Sequence, residues 1–400
     1  MLLAFLRDAR WVTGTRIRDY SSMAVAGYCC MAMIWAWAEL RASNPAGRPS
    51  GTDFISFWTV SIALQRGQID TVYRTDNLSA LEHAFFNVHD GFYPWAYPPI
   101  ALLIVYSLAW LPYYWSLAAW LAVSLGGYLT ALWRILPRPL TLWAGFAFPA
   151  VFVTMGHGQN ALLSTALLGW ALVLLPRRPM SAGALIGVLT YKPQLGILIP
   201  VALACGGHWR AMAAATLTAL GLAAVTVALF GAEVWSDFLA STGFTRALLE
   251  EGLVAYHKMQ SVFAATRLLG GSVGLAYGLQ TIATLAAAAA TAWVWRLPVE
   301  QSLKSAVLVT AGLLAAPFVL DYDQTLLALP IAWIAREHIR GIALPWEKSL
   351  LVVACLTPLA ARPLAYFTGV GISPVVEAAL LLMLLARCRL AQPVPLYQPI

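Results

Sequence analysis

Long apolar runs separated by short polar breaks recur along nearly the whole chain, and they set the first expectation. Residues 21–38 carry no charge and are long enough for one helix to cross a bilayer. Similar runs follow at about 114–133, 139–155, 160–175, 211–231, 273–295, 305–319, 324–335, 349–361 and 373–386. Between them, 183–191 and 195–205 read as the two arms of a hairpin broken at Tyr191-Lys192-Pro193-Gln194. None of these runs alternates with period two, so the pattern predicts helices rather than barrel strands. With the hairpin arms counted separately, it predicts an all-α polytopic membrane protein of about 12 transmembrane helices, forming one domain over 1–400.

One stretch is ambiguous. Tyr97–Pro112 (YPPIALLIVYSLAWLP) is apolar but short for a span, opened by Pro98 and Pro99 and closed by Pro112. The distribution of charge decides its status. If it lies against the membrane without crossing, cytoplasmic segments hold 16 Lys and Arg with 5 Asp and Glu, and outside segments hold 9 and 13. If it crosses, everything after it inverts and the basic residues fall on the wrong side. The non-crossing reading places both termini in the cytoplasm. It also makes 39–113 a first outside loop with juxtamembrane helices and 231–272 a second long outside loop. Ile55–Leu64, in the first loop, has helical apolar spacing.

Composition narrows the class further. The 400 residues are 60% hydrophobic and 11% charged, against about 25% charged in soluble domains. The net charge of +7 comes with no dense basic cluster, so no nucleic-acid partner is expected. The five cysteines, Cys29, Cys30, Cys205, Cys355 and Cys388, lie in or beside apolar segments and imply neither disulfides nor a metal site. Four arginines precede the first apolar run and no small-residue cleavage site follows it, so the first helix is expected to be retained.

The candidate chemistry sits in the polar breaks. Asp53 stands beside Phe54, Phe57 and Trp58, where partial burial would suit a general base; the alternative is a helix N-cap. Lys192 is the only charge between Arg178 and His208, and at a half-helix break it could hold an anionic group or snorkel to the surface. His157, Gln159 and Asn160 lie in a turn with two glycines that admit a close neighbour, whether ligand or backbone. His257, Lys258, Gln260, Ser261 and Arg267 form a basic, polar stretch able to clamp a phosphate or contact lipid headgroups. Asp321 and Asp323 bracket Tyr322 and could bind sugar hydroxyls or a metal, or simply cap a turn. No P-loop, GxSxG or HExxH is present, and the two halves show no obvious repeat.

Together these marks resemble glycosyltransferase family 87, the polyprenyl-phosphate-mannose-dependent mannosyltransferases. They are the Asp53 loop, YPP at 97–99, LPYYWSLAAW at 111–120, GHGQNALL at 156–163, RRPMSAGALIGVLTYKPQLGILIP at 177–200 and MQSVFAATRLLGG at 259–271. The resemblance implies a GT-C fold with an acid in the first outside loop as base. It implies an inverting transfer of a sugar, mannose in the family, from a polyprenyl-phosphate donor to a lipid or glycan acceptor. On that reading Asp53 is the base. Lys192, Arg267, Lys258 and His257 hold the donor phosphate. Tyr97, His157, Gln159, Asn160, Gln194, Gln260, Asp321, Tyr322 and Asp323 contact sugar or acceptor. In one place the chain departs from the family: where a Ser-Trp-Ser-His-His type of turn is expected, it has Leu320-Asp321-Tyr322-Asp323-Gln324, so no histidine role carries over and the acceptor and sugar stay open.

No cofactor is expected, and the carboxylates leave a divalent metal ion open. The expected setting is the bacterial cytoplasmic membrane, with membrane lipids as neighbours and the site on the outer face. Two alternatives stay beside this reading. One is a non-enzymatic flippase of lipid-linked sugars; the other is the same fold using a different lipid-linked sugar, such as a pentose.

Overall fold

The computed structural model describes residues 2–41, 51–86, 92–341 and 343–390. Residues 42–50 and 87–91 of the first long loop therefore lie outside the described residues. Within these limits the chain is helical. The single β contact is an isolated antiparallel bridge, Met259 to Leu320, reinforced by the Gln260 N–H donating to the Val319 carbonyl at 2.7 Å. It ties the second long loop to the turn that begins at Asp321.

Among the described residues, four helices are long and apolar enough to cross a bilayer: Tyr113–Ile135, Trp209–Phe230, Val273–Arg296 and Glu347–Thr368. The pair Pro139–Phe146 and Pro149–His157 adds a fifth span if counted as one, bent by 52°. The bend falls where Pro149 opens the second helix, because a proline lacks the N–H and disfavours a helical residue before it. Several other apolar helices are shorter than a span, including Ala161–Leu174, Pro179–Val188, Ile199–Cys205 and Gln301–Ala315. About 12 full spans were expected from the apolar runs. Gly14–Arg41 and Ser373–Leu390 have the length of a span, and the shorter helices flank the polar turns at 157–160, 191–194 and 321–327, which pair with one another inside the bundle.

Burial follows the two surroundings of such a bundle. Gln301–Ala315 is central, with 13 of its 15 residues buried. Trp209–Phe230 and Val273–Arg296 instead display large apolar side chains, among them Leu217, Leu220, Ile282 and Leu285. In water such faces would drive association, whereas hydrocarbon solvates them. Pro179–Val188 packs against Trp209–Phe230 through Gly183 and Gly187. A Cβ on Gly183 would sit 2.2 Å from the Ala211 carbonyl oxygen, and one on Gly187 would sit 2.5 Å from Thr218 Cβ. Small residues four apart bring two backbones together where dispersion, not water exclusion, holds helices.

The first loop folds onto the end of this bundle. Phe54–Gln65 is buried on ten of its twelve residues. Tyr97–Pro112 forms the short helix Ile100–Val105 and the 3-10 turn Leu108–Trp110. Both ends of this stretch stay near Asp53: Tyr97 reaches Gln159, and Tyr113 donates its hydroxyl to the Gly51 carbonyl at 2.9 Å. Its middle is pinned to Phe54–Gln65, since Ser61 donates to the Tyr106 carbonyl and Trp58 to the Leu111 carbonyl.

Candidate functional site

Two turns, a helix break and a 3-10 segment converge at one end of the bundle. Gly51 and Gly158 both have positive φ, +80° and +68°. At Gly158, the left-handed cap of helix Pro149–His157, a Cβ would lie 2.6 Å from Phe54 Cβ, and Gly51 Cα is only 3.3 Å from that point. The two loops thus meet backbone to backbone, which only glycine allows here. The Asp53 N–H donates to the His157 carbonyl at 3.0 Å, and the Trp120 indole donates to the Gly158 carbonyl at 3.1 Å.

This docking seats Asp53 over Gln159. Gln159 Nε2 donates to Asp53 Oδ2 at 2.9 Å, and Thr52 Oγ1 donates to Oδ1 at 3.3 Å. Gln159 is held in turn through Oε1, which accepts from the Asn160 N–H and from Tyr97 Oη. Asp53 stands at the N-cap position of Phe54–Gln65, yet its side chain makes no capping bond. The carboxylate is turned toward the cluster instead.

His157 is placed to define the proton arrangement. Its Nε2 lies 3.4 Å from Arg362 Nη1, and its Nδ1 lies 3.0 Å from Thr52 Oγ1 and 3.7 Å from Asp53 Oδ1. A guanidinium can only donate, so Nε2 accepts and Nδ1 carries the hydrogen. A directed chain results: Arg362 to His157, His157 to Thr52, Thr52 to Asp53.

Lys192 lies at the break between two 3-10 turns, which Pro193 enforces. Its side chain is 3% exposed. Nζ donates to Asn160 Oδ1 at 3.1 Å and to Asp323 Oδ1 at 2.5 Å, and it lies 5.1 Å from the centre of the Tyr322 ring. Asp323 Oδ2 accepts the Leu320 N–H, so this buried ion pair is well satisfied. Asp321 pairs with Arg362 at 2.9 Å.

The charge balance singles out one acid. Asp323 faces Lys192 and Asp321 faces Arg362, while Asp53 is met by the neutral donors Gln159 and Thr52, with the His157 ring beyond. Asp53 is also the accessible carboxylate, at 27% exposure against 5% for Asp321 and 2% for Asp323.

The remaining residues expected from the sequence occupy different positions. His257 stands at the edge of the cluster, its ring 5.1 Å from that of Tyr366. Burial, with the Arg362 and Lys258 charges nearby, lowers its pKa below the ordinary histidine value. Lys258 sits beside it, half-buried. Gln260 acts as a strut, accepting Ser373 Oγ at 2.6 Å. Ser261 caps the following helix Val262–Leu268. Arg267 is turned away: it donates to Tyr256 Oη and to the Gly271 carbonyl, and stacks over the Tyr256 ring. Gln194 is half-buried and makes no side-chain hydrogen bond with a described residue. Asp321 and Asp323 are drawn to separate cations, and among the described residues no group of three or more His, Cys, Asp or Glu side chains could hold a metal ion.

Two contributors escaped the sequence reading, Thr52 and Arg362. Arg362 carried a signal: it is a lone charge between Lys348 and Glu377, next to Pro363, in a helix apolar enough to cross a membrane.

The family model of glycosyltransferase family 87 matches residues 95–319, more than half of the chain. The chain belongs to glycosyltransferase family 87. As a member of that family with several apolar helices, it is an integral-membrane glycosyltransferase. The matched region contains Tyr97, His157, Gln159, Asn160 and Lys192, whereas Asp53, Asp321, Asp323 and Arg362 lie outside it. No curated protein and no solved structure matches the chain.

Proposed function

We propose that this family 87 glycosyltransferase moves a sugar, mannose by family, from a polyprenyl-phosphate donor to a hydroxyl of a lipid or glycan acceptor. It does so in a GT-C fold on the outer face of the cytoplasmic membrane, with both termini inside. The observation that carries the mechanism is the state of Asp53: accessible, oriented by Gln159 and Thr52, and the one carboxylate of the cluster not neutralised by a permanent cation.

In this reading Asp53 accepts the proton of the acceptor hydroxyl as its oxygen bonds to the anomeric carbon. The bond from that carbon to the phosphate oxygen breaks, and polyprenyl phosphate leaves with the electron pair. A single displacement inverts the anomeric centre. Negative charge grows on the phosphate oxygen, which the cations of the cluster would stabilise. Lys192 has one of its three Nζ donors without a described partner, and Arg362 is 34% exposed beside the His157 ring. His257 and Lys258 extend this cationic side, while Arg267, held by Tyr256 and Gly271, does not take part. Tyr97, Gln159, Asn160 and Tyr322 offer sugar-facing polar groups in a wall of aromatic side chains. Gln194 also belongs to the set drawn from the resemblance, as do His157, Asp321 and Asp323, whereas Gln260 is engaged by Ser373. No cofactor enters this scheme.

The deciding experiment supplies purified protein with polyprenyl-phosphate mannose and native membrane lipids and weighs the products. A lipid heavier by one hexose, formed by the wild type and lost in Asp53→Asn, is the expected outcome. Product formed from a pentose donor instead would keep the mechanism and change the sugar. Movement of the donor across the bilayer with no transfer would overturn the enzymatic reading in favour of a flippase.

A further inference from the structure

A cavity of about 870 Å³ opens at the other end of the bundle. Its distance from Asp53 follows from helix geometry. Tyr113 starts its helix at the Gly51 carbonyl and Arg134, in the cavity wall, comes near the end of the same helix, roughly 30 Å away at about 1.5 Å per residue. Likewise Asn160 and Arg177 bracket the helix Ala161–Leu174, and Asp323 precedes Ala328–Ile339 while Arg336 lies in its last turn.

The walls combine two chemistries. Ile135, Leu172 and Trp333 make an apolar interior, and the mouth carries Arg134, Arg177 and Arg336 against the single acid Glu300. Arg336 is shared between Glu300 and, behind the wall, Glu337, each at 3.6 Å, so the unneutralised charge of the mouth is that of Arg134 and Arg177. Glu300 is committed to Arg336 at 3.6 Å and to Arg340 at 3.2 Å. Arg134 and Arg177 are exposed and pair with no described acid. One donor in the wall is also left over: the Trp333 indole, on a side chain 3% exposed, donates to no described residue, whereas Arg336 Nε is held 3.6 Å from Glu337 Oε1.

An apolar interior with an unneutralised arginine mouth suits an amphiphile with an anionic head. Guanidinium forks match phosphate oxygens in pairs, and the cavity is of the size that encloses a small ligand or part of a lipid. A soluble phosphate compound would use the arginines but not the apolar wall. Basic pockets between helix ends are where anionic headgroups settle in membrane proteins. We propose that this cavity binds an anionic phospholipid through its phosphate, held by Arg134 and Arg177, at the end of the bundle opposite Asp53.

The test uses the full chain in detergent, titrated with phosphatidylglycerol or phosphatidylcholine and followed by native mass spectrometry and thermal unfolding. Phosphatidylglycerol is expected to bind saturably at one site and raise the midpoint, with phosphatidylcholine much weaker. Arg134→Gln with Arg177→Gln should weaken binding by about tenfold or more, with the lipid-free midpoint unchanged, and the Lys pair at the same positions, which keeps the charge but not the fork, should bind between the two. Arg177→Gln alone, in the turn after Leu174, gives a second reading should the pair fail to fold. Equal retention of both lipids, or undiminished binding in the Gln variants, would overturn the proposal. So would displacement of the lipid by millimolar inorganic phosphate, which would assign the pocket to a soluble phosphate compound. None of these readouts depends on glycosyl transfer.

Discussion

Asp53 and Asp323 are the same side chain in one cluster, yet their surroundings give them opposite capacities. Asp323 is 2% exposed and bound to the buried ammonium of Lys192, with its second oxygen taken by the Leu320 amide. Moving a proton onto it would break an ion pair in a low-dielectric interior. Asp53 is 27% exposed and held by an amide and a hydroxyl. Neutral donors orient a carboxylate without claiming its charge, so it stays able to take a proton. The lesson is that acidity in such a site is divided: one acid organises, and the other is left free for the proton transfer proposed above. The same contrast separates Lys192, which is buried against Asp323, from Arg362, which pairs with Asp321 yet remains 34% exposed.

The largest effect that would break this division is at Asp53. Asp53→Asn preserves shape and can still accept from Gln159, but it cannot take the proton. Transfer should fall roughly 10²–10⁴-fold while donor affinity and unfolding midpoint stay near wild type. Near wild-type transfer would return the base role to Asp321 or Asp323.

Lys192→Met should act mainly on stability. It strands Asp323 in the interior, at a cost of about 3–5 kcal/mol. Adding Asp323→Leu should restore much of that loss in thermal unfolding, because the pair rather than either charge is what the fold tolerates. Donor affinity measured in the restored double variant then tests whether the lysine itself meets the phosphate. Unchanged donor affinity there would remove it from the donor site.

Arg362→Gln is expected to fold and to weaken donor binding by about tenfold, the loss typical of one charge-assisted hydrogen bond. It should also free the His157 tautomer, which nitrogen chemical shifts of labelled histidine would read. A variant with normal donor binding and an unmoved His157 would confine Arg362 to holding Asp321.

Gly158→Ala tests the seating of Asp53 rather than its chemistry. A Cβ 2.6 Å from Phe54 Cβ, at φ +68°, should cost about 1–3 kcal/mol and separate the two loops. Transfer should drop with it. Full activity would mean that Asp53 is positioned by its own helix.

The smallest effect compares Asp53 with a carboxyl that pairs with no cation among the described residues and meets little water. Glu82, in the first loop, is buried with one oxygen on the Tyr93 amide, and burial raises its pKa to about 8. The folded protein therefore holds a proton that the unfolded chain releases near the ordinary value of 4.5. Stability from this group is complete below that value and declines as pH rises toward about 8. Glu82→Gln should flatten this slope in midpoint-against-pH curves, and an unchanged slope would place its origin elsewhere.

Much of this architecture was legible in the chain. Apolar runs marked the helices, because a bilayer demands internally bonded segments of set length. The broken hairpin at Lys192-Pro193 and the return of Tyr97–Pro112 to its starting side followed from proline chemistry and charge distribution. Asp53, His157, Gln159, Asn160, Lys192, Asp321, Tyr322 and Asp323 were recognisable as polar groups too costly to leave unpartnered in an apolar chain. Span lengths were less legible, since polar turns that satisfy each other can sit below the membrane surface and shorten the helices beside them.

The sequence by itself determined the class of molecule, an all-helical membrane protein, and the polar residues from which a site could be built. Those follow from solvation: apolar composition and isolated charges carry their energetic consequences wherever they fold. Only the tertiary structure decided which charges meet. Lys192 and Asp323 are 131 residues apart, and Asp53 and Gln159 are 106 apart. No local periodicity encodes such pairings. They arise from helix packing, from two glycines that let loops 51–53 and 157–160 touch, and from a bridge at Leu320 that sets the turn carrying Asp321 and Asp323. That packing leaves Asp53 without a permanent cation, turns Arg267 toward Tyr256, and brings in Arg362 from the far end of the chain.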